Sequence, residues 1–205
     1  MFCWKEVADV LGMQPGDVIY NDYKKACRGS SKTSSAFDEF KHQIKAKFPD
    51  FQAKASNLKQ VLKECTINTD GSKDLFKKMM IYFLIEEVLL CNGDTNLRQS
   101  MWNLVTDLTN CDHIKWPEVI YDHLVCAIRD TKQWMEKGCL GQHSFKGFAP
   151  IFEAIVFRRI SKLQPGVWNE EALPVERYCK KRIWLDVEDR LCNLTSADVS
   201  NRRTI

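Results

Sequence analysis

The chain is 205 residues long, 44% hydrophobic and 28% charged, with a formal net charge of +3. That length suits one domain with at most a small appendage, and the composition is that of a globular protein with apolar residues enough for a core. A charge of +3 is too small to argue for nucleic acid by itself.

Residues Met1 to Glu6 hold no apolar run of the length a secretory signal requires. The longest apolar run, Met79 to Ile85, is seven residues and stops at Glu86-Glu87, whereas a membrane span takes about 20. The expectation is an intracellular protein, in nucleus or cytoplasm. The nine cysteines are irregularly spaced and form no CxxC, which reads as reduced, buried thiols. The sequon at Asn193-Leu194-Thr195 is then a chance match.

In chain order, Trp4 to Leu11 is a short helix with Trp4, Val7, Ala8 and Leu11 on the 3.6 period, ended by Gly12 and a turn at Gln14-Pro15-Gly16. Asp17 to Tyr23 is mixed and extended. Gly29 to Ser35 is polar and reads as a loop, with Ser34 or Ser35 capping the next helix and Asp38 and Glu39 near its positive end. That helix carries Phe37, Phe40, Ile44 and Phe48 on one face, and Pro49 stops it. Ala55, Leu58, Val61, Leu62 and Cys65 stripe the following helix. Asn68 to Ser72 is a turn whose Asp70 or Ser72 caps the most hydrophobic helix, Leu75 to Cys91. A helix apolar all round must be surrounded by others, so it is expected at the centre, closed by Asn92-Gly93-Asp94.

Arg98 to Leu108 is a helix with Met101, Trp102, Val105 and Leu108 inward. Trp116-Pro117 opens another, with Pro in the first turn and a stripe of Trp116, Val119, Ile120, Leu124, Ala127 and Ile128. Phe145 to Leu163 is a further apolar helix, its true first turn marked by Pro150. Pro174 to Asn193 is a charged helix before a polar tail. The expected fold is all-α: one compact multi-helix bundle around a buried central helix over residues 1–163, with an additional C-terminal helix and tail over 164–205.

Four constellations bear on function. Cys111 and His113, with His123 and Cys126, give two Cys/His pairs, and zinc needs four such ligands converging. The linkage is looser than a zinc-finger spacing, so buried cysteines with capping or surface histidines are the preferred reading, and no metal or cofactor is assigned. No nucleophile, zincin or phosphate-loop motif occurs. Glu86-Glu87 and Glu170-Glu171 are adjacent pairs that point to different helix faces and read as rim residues. A non-enzyme is therefore the expectation, with a zinc- or thiol-dependent enzyme the least favoured alternative.

The basic clusters are Arg158-Arg159 with Lys162, and Lys180-Lys181-Arg182. Tyr178 and Trp184 flank the second, as aromatics do in nucleic-acid surfaces, but Glu176, Asp186, Glu188 and Asp189 dilute it. Tyr178, Lys180, Lys181, Arg182 and Trp184 are the candidate partner-binding residues, with another protein the expected partner. Nucleic-acid or chromatin binding is the alternative.

Val7 to Gly16, Asp74 to Leu84, Ile114 to Leu124 and Gly138-Cys139-Leu140 together resemble the plant mobile domain family, found in transposon-derived plant proteins. The resemblance spans about residues 4–163 and is that of an N-terminally shortened member. It implies a non-catalytic protein-interaction role, as a transposon-derived or selfish-locus (toxin or antidote) component. It carries no catalytic residue across, because the matching positions describe packing.

Overall fold

The structure is a computed structural model, and it describes residues 2–20, 32–91, 96–97, 99–106, 108–138, 145–160 and 163. Helix α1 is Trp4–Leu11. The Glu6 carboxylate turns back to accept the Cys3 N–H at 2.9 Å, meeting one of the donors a helix start leaves open. Gly12 takes the left-handed conformation (φ 64°) that ends the helix. Val7 and Val10 are its buried residues, rather than the whole predicted stripe. The extended segment expected after it is realised as one parallel bridge, Val18 to Ile114. The N–H groups of Asp17 and Val18 both donate to His113 O, and Lys115 N–H donates to Val18 O.

Helix α2 is Lys32–Lys47. The polar loop expected through Ser35 is thus helical from Lys32. Ser and Thr cost only tenths of a kcal/mol in a helix, and burial of Phe37, Phe40 and Ile44 one turn later outweighs that. Ser34 and Ser35, expected before the helix as its cap, stand inside it, and Asp38 and Glu39 lie in its second turn. Pro49 disfavours helical geometry at Phe48, and the helix stops at Lys47. Helix α3 is Ala55–Glu64 and buries Leu58 and Val61.

Helix α4 is Asp70–Phe83, and its cap is Thr69 rather than Asp70 or Ser72. Thr69 Oγ1 accepts the Ser72 N–H at 3.2 Å, while Ser72 Oγ accepts the Thr69 N–H at 2.9 Å, a reciprocal capping box. From Leu84 to Leu89 the helix widens into a π turn, with the Leu90 N–H bonding back to Ile85 O. The segment buries one side only: Met79, Tyr82, Ile85, Glu86 and Leu90. Leu84 is 44% exposed, so the element is not enclosed all round. Glu86, expected at the rim, is 5% exposed. Glu86 lies seven residues after Met79 and four after Tyr82, on the face those two buried residues define.

Helix α5, Gln99–Thr106, is short but deeply placed: Met101, Trp102, Leu104 and Val105 are all buried. Leu108 opens the next described helix, α6, Leu108–His113, so Cys111 and His113 both sit on helix. Helix α7 is Trp116–Glu136, opened by Pro117 and burying Ile120, Leu124 and Ala127. Helix α8 is Ala149–Arg159, with Pro150 in its first turn as expected, and shorter than the predicted span.

The described residues contain no strand, and the fold is all-α. Helix α1 packs on α7 and α8, while α2 and α4 pack on α5. The buried residues of all these helices form one core cluster. Among the described residues no helix is long and apolar enough to cross a membrane. The expected C-terminal helix and the boundary at residue 163 fall outside the described residues, Leu163 excepted.

Candidate functional site

One opening follows from how three helices meet. Helices α2 and α4 both rest on α5, and each packs more on α5 than on the other. The gap left between them is a cleft of about 720 Å³, within the size range of ligand pockets. Glu39, Gln43, Ala46 and Lys47 line it from α2, at the i, i+4, i+7 spacing that shares one helix face. Gly71, Asp74, Leu75 and Lys78 line it from α4 at the same period. Phe40 and Trp102 form its inner boundary.

The walls are polar but internally settled. Lys78 Nζ lies 2.6 Å from Asp74 Oδ2, and Gln43 Nε2 donates to Glu39 Oε1 at 3.3 Å. The floor is not settled. Trp102 stacks on Phe40 with ring centroids 3.4 Å apart and a 21° tilt, and is 2% exposed. Its Nε1–H is buried without a hydrogen-bond partner. Native structures rarely leave such a donor open, because the cost is about 1–3 kcal/mol. A smaller opening of about 250 Å³ lies beside Phe48, Phe51 and Val61.

The sequence-predicted candidates stand apart from this cleft. Tyr178, Lys180, Lys181, Arg182 and Trp184 lie outside the described residues, as does Lys162. Arg158 and Arg159 are not a free basic patch. Arg158 pairs with Asp9. The Arg159 guanidinium grips Glu6 with Nη2 2.7 Å from Oε2 and Nε 3.0 Å from Oε1, a bidentate geometry. These two contacts tie α8 to α1, and Glu6 serves both the pair and the α1 cap.

The Cys/His group does not gather. Among the described residues no three of His, Cys, Asp and Glu are placed to hold a metal ion. Cys111 is buried and Cys126 exposed, while His113 Nδ1 faces Asp17 Oδ1 at 3.2 Å. The expectation of buried thiols is also corrected: the described cysteines are free, but Cys3 and Cys126 are exposed and Cys65 and Cys91 half-buried. Cys3 and Cys65 are helix caps and Cys91 follows one, outside the packed turns, while Cys126 lies off the buried face of α7.

Burial, reinforced by the Asp112 charge, pushes the Cys111 thiol from its ordinary 9.0 up to about 11. Iodoacetamide near neutral pH is therefore expected to label Cys3 and Cys126 in the folded protein and to spare Cys111, as peptide mapping would show. Stability carries the same signature. Below pH 9 the thiol is protonated in folded and unfolded chains alike. Between pH 9 and about 11 only the unfolded chain ionises, so stability falls by about 2 kcal/mol. Urea melts across that window should show a smaller fall for Cys111→Ala, and equal slopes would count against the assignment.

Sequence reasoning placed Trp102 inward and stopped there. Nothing in the spacing of α2 or α4 signals that the two helices stand apart over a shared base, because the gap is a property of three elements together. No curated protein and no solved structure matches the chain. A family model does match, over residues 1–148, and that stretch contains α1 to α7 and every residue of the cleft. The chain belongs to the family described as Domain of unknown function (DUF8566).

Proposed function

We propose that the protein is a non-catalytic, helical protein-interaction module whose α2/α4 cleft docks a segment of a partner protein. The observation that carries this reading is the open cleft of about 720 Å³ with an aromatic floor and a polar, hydrogen-bonded rim. Buried aromatic anchors ringed by polar groups are the anatomy of interaction hot spots. The resemblance of residues 4–163 to the plant mobile domain points the same way, toward a transposon-derived interaction protein working in the nucleus or cytoplasm. Tyr178, Lys180, Lys181, Arg182 and Trp184 form a second candidate contact in this reading.

Ala46→Trp tests it. Ala46 is exposed on the α2 wall, so the change fills the cleft at a helix-propensity cost of only about 0.5 kcal/mol. The expected result is an unchanged helical circular-dichroism spectrum and loss of the protein that wild type retains from native tissue. Undiminished retention by Ala46→Trp, with loss in Trp184→Ala, would move the interaction to the C-terminal segment.

A further inference from the structure

Apolar residues on α4 are not confined to its buried side. Phe76, Met80, Leu84 and Val88 recur at every fourth residue along α4 and the π turn that extends it, and so form one row along the helix. Leu84 is 44% exposed and the other three are half-buried. Among the described residues, Leu75, Ile81, Phe83 and Leu89 of the same stretch pack against the core, and none of the four in the row does. We infer that this row is the contact between two copies of the chain, which meet there as an antiparallel, two-fold pair of helices. The row shares no residue with the α2/α4 cleft, so the inference goes beyond the docking reading and does not depend on it.

The row has the shape that helix pairing uses. Residues four apart make the ridge that fits between the matching ridges of a second helix, at a crossing of about −50°. Four residues overshoot one turn of an α-helix but fall short of one turn of a π-helix. The π turn at Leu84–Leu89 therefore swings the row back toward the line of Phe76 and Met80, and Val88 stays with it.

The charges beside the row choose a second copy, and choose its direction. A two-fold contact sets residue i opposite residue j and j opposite i. With the axis level with Tyr82, Met80 faces Leu84 of the other copy and Phe76 faces its Val88. Lys77 and Glu87 are each five residues from the same level, so each Lys77 faces a Glu87, twice over. Lys77 is exposed and Glu87 half-buried. Glu87 has an interaction within its own chain, but a carboxylate has room for about four donors, so it takes the second copy's ammonium as well. The lysines of the first half, Lys73 and Lys77, also come beside the negative end of the other helix. A parallel pair would set like ends together.

Size fixes the strength. The row runs about 18 Å, and a contact of that length falls short of the roughly 800 Å² per partner of a standard interface. The pair is therefore reversible, with a Kd in the micromolar range, on the order of 10 µM.

The test is sedimentation equilibrium of the full chain under reducing conditions, from about 1 to 300 µM, a range that brackets such a Kd. Wild type is expected to pass from monomer to dimer. Leu84→Glu should remain a monomer throughout with an unchanged helical circular-dichroism spectrum, because pairing would bury two carboxylates in an apolar seam. Lys77→Glu and Glu87→Lys should each pair about tenfold more weakly, since each turns two attractions into two repulsions. An equal mixture of those two variants should regain wild-type affinity, because both contacts of the mixed pair are again between opposite charges. This charge reversal keeps the test open should Leu84→Glu not fold. Ala46→Trp should pair like wild type, which keeps this result separate from that of the cleft.

A wild type that stays monomeric overturns the inference. Lower heat stability of Leu84→Glu in that case would show the row covered by the chain's own residues, and loss of a protein retained from tissue would assign it to a foreign partner. A dimer that survives Leu84→Glu overturns it by placing the contact elsewhere. A mixture that pairs no better than its two components overturns the antiparallel arrangement.

Discussion

Gly16→Ala is expected to destabilise the protein by roughly 3 kcal/mol, a large loss for one methyl group. A Cβ at this position would lie 2.5 Å from the Ile114 carbonyl carbon and closer still to the carbonyl oxygens of His113 and Ile114. All three are backbone atoms, so no side-chain rotation relieves the clash. Residues 13–18 must instead back away from the segment joining α6 and α7. That movement strains the Asp17 and Val18 bonds to His113 O, at 3.0 and 2.8 Å, and the Lys115 bond to Val18 O, at 3.0 Å. At about 1 kcal/mol net for each bond, the sum is roughly 3 kcal/mol. Denaturant unfolding measures it, and faster hydrogen exchange at Val18 and Lys115 should accompany it. Gly71→Ala is the control: it lies in the first turn of α4, and a methyl group there would meet nothing within 4 Å. Alanine at that position should stabilise by about 0.4–1 kcal/mol. Equal behaviour of the two variants would show that the close approach at Gly16 is not what holds this junction.

The second large effect is expected at Leu104, which is fully buried on α5. Leu104→Ala should cost about 2–5 kcal/mol through lost burial and the cavity left behind. For a chain of this size a loss of about 3 kcal/mol lowers Tm by roughly 6–12 °C. Its reach goes beyond stability, because α5 is the common base of α2 and α4. Loosening that base lets both cleft walls drift, so partner affinity should fall along with Tm. Ala46→Trp separates the two effects, since it obstructs the cleft without touching the base. Met135→Ala, at a residue 67% exposed, should change stability by less than about 0.5 kcal/mol. A Leu104→Ala protein as stable as the Met135→Ala protein would remove α5 from its place as the structural hub.

Much of this fold was legible from local pattern. Trp4–Leu11, the Phe37–Phe40–Ile44 face, the Leu58–Val61 stripe and the Pro117 and Pro150 starts all follow from period and capping chemistry. Local pattern failed where tertiary contacts overrode it. Lys32 to Ser35 is helical because the aromatic anchors beyond it are buried. Glu86 is inside because the face it shares with Met79 and Tyr82 is the one that the packing of the whole core buries. Arg158 and Arg159 resemble a basic patch until Asp9 and Glu6 are brought to them from about 150 residues away in sequence.

The sequence by itself determined that this chain is helical, since 3.6-residue periodicity, proline starts and glycine stops act within a few residues of one another. It also placed Trp102 on an inward face. Only the tertiary structure decided that α2 and α4 share one base and leave a cleft above it. Only it left the Trp102 N–H without an acceptor and put Gly16 against two carbonyls. These are relations among elements far apart in the chain, and which helix shares a base with which is set by the packing of the whole core.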